Sequence, residues 1–80
     1  MTYEGWANYQ TWDAALWLNN EYPLYRMMVS YVESHDVPDY DHFIKSIDRD
    51  DVAKWTNPEI NRSEMNDMLM ELKQELEMYG

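Results

Sequence analysis

The chain has no cysteine, so neither a disulfide nor a thiolate metal site can support it. Glycine is nearly missing too, with Gly5 and Gly80 its only two copies. A hairpin-rich all-β fold wants Asn-Gly or Asp-Gly turns between alternating strands, and the sequence offers none. Long apolar runs are also lacking. Ala14 to Leu18 is far too short to cross a bilayer, and Met1 to Gly5 holds no basic stretch leading into an apolar one. The expectation is a soluble, cytoplasmic protein. The last scarcity is positive charge: six Lys and Arg stand against sixteen Asp and Glu, a formal net charge of −10. Such a surface repels nucleic acid and anionic lipid and attracts basic proteins.

A chain this charged stays disordered unless it can bury enough apolar surface to offset the entropy of ordering. Four Trp, seven Tyr, one Phe and seven Met in 80 residues supply that surface. Residues 1–80 read as a single acidic helical domain, near the size where one core contributes only about 3–5 kcal/mol.

Asn8 or Thr11 can cap a first helix that runs to Asn19 or Asn20. Trp12, Ala15, Leu16 and Asn19 share one of its faces, and Ala14, Trp17 and Leu18 make the rest of the cylinder apolar as well. Such a helix is either buried on several sides or offers an apolar face to another molecule. Pro23 suits the first turn of a second helix carrying Leu24, Met27, Met28, Tyr31 and Val32 to about Ser34. After the Val37-Pro38 break, Asp39 can cap a short third helix with Tyr40, Phe43, Ile44 and Ile47. Residues 48–57 read as irregular, with Val52 and Trp55 returning to the core. Asn61-Arg62-Ser63-Glu64 has the form of a capping box, and Met65, Met68, Leu69, Leu72, Leu76 and Tyr79 then keep helical spacing without interruption. The expected fold is all-α, a small three- to four-helix bundle with a C-terminal amphipathic helix.

On that last helix Glu64, Asp67, Glu71 and Glu75 fall in one column beside the core face. Lys73, the single basic residue after Arg62, lies on the far side. Four carboxylates spread over about 16 Å resemble, coarsely, the charge spacing of a nucleic-acid backbone. One reading is a nucleic-acid-mimicking surface; the other is an ordinary solvated helix face. A second acidic block, Asp36, Asp39, Asp41, Asp48, Asp50 and Asp51, favours the first, because solubility alone asks for a net charge of about 2–8. Trp6 and Trp17 are the candidate exposed anchors, since Trp is enriched at binding hot spots.

Other chemistries find little footing. His35 and His42 could join Asp36, Asp39 and Asp41 around a metal, but Pro38 separates them, so no regular helix face brings them together. Asp48, Asp50, Thr56 and Glu59 fit positions 1, 3, 9 and 12 of a calcium loop, yet Val52 and Ala53 stand where a ligand and the turn glycine belong. No nucleophile elbow or Gly-rich phosphate loop exists, so no catalytic, cofactor or metal residue is assigned and no enzyme activity is expected. The Trp-rich start has no Lys or Arg before Arg26, which argues against direct nucleic-acid binding.

The stretch Asn8-Tyr9-Gln10-Thr11-Trp12-Asp13-Ala14-Ala15-Leu16-Trp17-Leu18-Asn19-Asn20 resembles a family of small proteins encoded by phages, plasmids and bacterial genomes, which share an N-x-x-T-W-x-x-x-L-W-L/I-x-N signature. Val52 to Ile60, leading into an acidic last helix, is similar to the end of that family. The resemblance implies a mobile-element origin and no particular activity. Together these readings give an expected function: a non-enzymatic inhibitor that engages a basic nucleic-acid-binding surface on a host protein. The alternative is an assembly module that dimerises or docks through its apolar first helix, its charge serving solubility.

Overall fold

The computed structural model describes residues 3–47 and 54–79, the side chain of Tyr79 excepted. Asp48, Asp50, Asp51 and Val52 therefore lie outside the described residues. The fold is all-α, with α1 Tyr9–Asn20, α2 Tyr22–Ser34, α3 Tyr40–Lys45 and α4 Arg62–Tyr79.

Three of the four helices begin at a side chain that accepts from a free N–H group of the first turn, and α2 begins at a proline. Asn8 caps α1, its side-chain oxygen accepting from Thr11 N–H at 2.9 Å. Glu21 alone separates α1 from α2; its N–H closes α1 onto the Trp17 carbonyl, and Pro23 then sits in the first turn of α2. Asp39 caps α3 by accepting from His42 N–H at 3.0 Å. Asn61 accepts from Glu64 N–H at 3.0 Å and starts α4.

The core takes Ala14, Ala15 and Leu18 from α1, Leu24, Met28, Tyr31 and Val32 from α2, and Tyr40, Phe43 and Ile44 from α3. Met65, Leu69 and Leu72 of α4 close it, with Ile47, Trp55 and Ile60 inserted from the connections. Helix α4 touches each of the other three. Lys73 fastens it to α2 by donating to the Val32 carbonyl at 3.0 Å, near the negative end of the α2 dipole.

Three features were not legible in local sequence. Ile47, read as part of the third helix, lies beyond its end at Lys45, although it is buried as its apolar row implied. Thr11, a polar residue, is fully buried. At the start of the chain a two-residue turn joins Tyr3 to Trp6 through paired backbone hydrogen bonds, with both Glu4 (φ 51°) and Gly5 (φ 88°) in the left-handed region. Gly5 meets that requirement at no steric cost, whereas Glu4 holds a conformation that disfavours a side chain.

Candidate protein-binding face

The capping box works only in one direction. Asn61 caps α4, but Glu64 does not return to Asn61; its Oε1 accepts from Ala7 N–H at 2.6 Å, across 57 positions of sequence. Asn61 N–H instead donates to Thr11 Oγ1 at 2.8 Å, and that hydroxyl donates to Asn8 Oδ1 at 2.6 Å. Asn8 Nδ2 completes the clasp by donating to the Glu59 carbonyl at 2.7 Å. Asn8 and Thr11 of the first-helix signature are thus structural residues that tie the start of α1 to the start of α4. Glu64 is half-buried and belongs to the same clasp, so its carboxylate is not free as the column of four acids assumed.

The other three members of the column have no such bond among the described residues. Asp67, Glu71 and Glu75 are exposed, and none forms an ion pair among the described residues. They follow one another along α4 over about 12 Å at the helical rise of about 1.5 Å per residue. Three cations are committed to other acids. Lys73 faces Glu77 at 3.4 Å, Arg62 pairs with Asp41 at 3.0 Å, and Lys54 pairs with Asp13 at 3.5 Å. Arg62 also donates to the carbonyls of Asn57 and Ile60 and lies over the Tyr40 ring, so it organises the connection before α4.

The tryptophans divide three ways. Trp55 is buried. Trp17 is 44% exposed, but one face of its indole is covered by the Lys54 ammonium, 4.2 Å from the ring centre. Trp6, expected to be exposed, is half-buried and packs against the core. It forms one wall of a groove of about 210 Å³ whose other side carries Glu64, Asp67, Met68 and Glu71. Trp6 also lines a second groove of about 160 Å³, with Trp12, Ala15, Leu16 and Asn19 among its other walls. That second lining is the helix face picked out by spacing in α1. The core face of α1, Thr11, Ala14, Ala15 and Leu18, shares only Ala15 with it.

The histidines also differ from expectation. Tertiary packing sets the His35 and His42 rings 5.2 Å apart, although no single helix carries both. His35 stacks on Tyr31 at 4.1 Å, and its Nδ1 lies 2.8 Å from the Tyr31 carbonyl, which can only accept. The Tyr31 hydroxyl accepts from Asp39 N–H at 3.1 Å and lies 3.0 Å from His42 Nδ1. These contacts close the α2–α3 corner. Among the described residues no three His, Asp or Glu side chains are grouped to hold a metal, and no helix is long and apolar enough to cross a membrane.

Compared with known proteins, the chain matches the model of a family of unknown function (DUF7249) over residues 1–77. No curated protein and no solved structure matches it.

Proposed function

Starting from the fact that the chain belongs to this family of unknown function, we propose that it is a non-enzymatic inhibitor of phage or plasmid type. In the host cytoplasm it binds the basic, nucleic-acid-binding surface of a host protein. The observation that carries the reading is the row Asp67, Glu71 and Glu75, exposed along one helix with no basic partner among the described residues. Uncompensated like charges at helical spacing cost about 0.2–0.5 kcal/mol per pair, a penalty that a basic partner would reverse. Charge complementarity of this kind speeds association and makes it depend on salt.

The test is displacement of duplex DNA from purified nucleases and polymerases of the host. The variant for comparison is Asp67→Asn/Glu71→Gln/Glu75→Gln, with Glu64 kept because it holds Ala7. The unsubstituted protein should displace DNA from its target at low salt, and the triple variant should not. Equal displacement by both would overturn the reading.

A second reading has its own support: Leu16 and Trp17 on α1 are 41% and 44% exposed. Docking or dimerisation through α1 predicts a dimer that persists at high salt and dissociates in Trp17→Ala, seen by sedimentation. A monomer at every salt concentration excludes the dimer.

A further inference from the structure

The acidic groove and the α1 groove are neighbours that share one side chain. Trp6 contributes a wall to both. Asn19 Nδ2 reaches Met68 Sδ at 3.5 Å and joins the two floors. One groove offers Asp67 and Glu71, which have no basic partner among the described residues, beside an aromatic ring. The other offers Leu16 beside Trp12 and carries no charged lining residue among the described residues. A cation beside carboxylates and an indole gains both ion pairing and attraction to the ring. An apolar side chain gains area buried against Leu16 and Trp12.

We propose that Trp6 is a ridge straddled by a basic amphipathic segment of the protein partner. One Lys or Arg enters the Asp67–Glu71 side, and an aliphatic residue from the same face of the segment enters the Leu16 side. Side chains three or four residues apart on a helix stand about 5–6 Å from each other, which suits two grooves that share one ring. Charge complementarity selects the basic half of this partner, and the uncharged lining of the second groove selects the apolar half. The inference rests on the acidic-face reading and adds to it: a bare polycation satisfies that reading but not this one.

The tight turn at Glu4-Gly5 sets Trp6 in place, since Trp6 N–H and carbonyl are both bonded back to Tyr3. Trp17 stands apart, under the Lys54 ammonium, and lines neither groove.

The probes are two synthetic helical peptides of equal length and charge, one pairing Lys with Leu at three- and four-residue spacing, the other with every Leu replaced by Gln. Titration of the full chain should show the Lys/Leu peptide binding about tenfold more tightly than the Lys/Gln peptide. Leu16→Gln and Trp6→Ala should each remove that preference, and Asp67→Asn/Glu71→Gln should weaken both peptides. Leu16 is 41% exposed, so its variant tests the idea even if Trp6→Ala unfolds the chain. Equal affinity for the two peptides, with both still dependent on Asp67 and Glu71, would overturn the ridge and leave the acidic-face reading standing. A preference abolished by Trp17→Ala but untouched by Leu16→Gln would also overturn it. Binding of neither peptide, or indifference to Asp67 and Glu71, would overturn both.

Discussion

Tyr40 occupies the middle of the interior with its hydroxyl donating to the Trp55 carbonyl at 2.8 Å and its N–H to Asn66 Oδ1 at 2.7 Å. Burial holds its phenol well above the ordinary tyrosine pKa; nearby Arg62 pulls the other way, and Asp41 adds slightly to the rise. The folded chain therefore keeps this proton at a pH where the unfolded chain releases it, which is at about pH 10. Stability from Tyr40 is fully present below that pH and is lost progressively above it. Urea unfolding should show the midpoint falling from about pH 10 upward. Tyr40→Phe should begin less stable, by about 0.5–1.5 kcal/mol for the lost hydrogen bond, and show a shallower alkaline decline. An equally steep decline in the variant would assign the effect to other groups. Residue-scale signals in the sequence were uneven. Asn8 and Asp39 could be read as caps because a cap bonds within three residues. The partners of Glu64 and Arg62 could not, because Ala7 and Asp41 lie 57 and 21 positions away.

At the scale of elements, α1 and α4 are joined at their first turns through buried hydroxyl and amide groups as well as through the core. Thr11 Oγ1 both donates to Asn8 and accepts from Asn61 N–H, and it is fully buried. Thr11→Val keeps the shape and removes the oxygen, leaving the Asn61 N–H without its acceptor. The expected cost is about 1–3 kcal/mol, measured by denaturant unfolding, with Thr11→Ser losing much less. A Thr11→Val variant as stable as the parent would show that Asn61 finds another acceptor. Helix positions were legible from periodicity and punctuation: Pro23, the Val37-Pro38 break and the uninterrupted apolar rows of α2 and α4 all act locally. Which side of α1 faces inward was not, because nearly every side of that helix is apolar and only its neighbours decide. The approach of His35 to His42 likewise depends on how α2 meets α3, which no spacing rule carries.

For the molecule as a whole, ten net negative charges are set against three ion pairs among the described residues. Exposed pairs of this kind contribute about 0–1 kcal/mol each, so self-repulsion outweighs them. Screening acts on both, with a Debye length of about 10 Å at 0.1 M salt. The thermal midpoint should therefore rise between low and moderate sodium chloride, a salt chosen because sulfate strengthens burial on its own account. A falling midpoint would mean that attractive pairs dominate. The all-α architecture was legible from composition and pattern, and so was the acidic last helix. The division of its acids into one structural carboxylate (Glu64), one paired with Lys73 (Glu77) and three without an ion pair among the described residues was not.

The clasp built from Ala7, Asn8, Thr11, Asn61 and Glu64 has a consequence for the order in which the protein takes shape. Its three long-range hydrogen bonds, Ala7 to Glu64, Asn8 to Glu59 and Asn61 to Thr11, bridge 50 to 57 positions, so they cannot form while a ribosome has made only the first half of the chain. Until the Asn61–Glu64 segment emerges, the nascent first helix holds its tryptophans without the hydroxyl-and-amide latch that later fixes them. Native closure is thus a late event of biosynthesis.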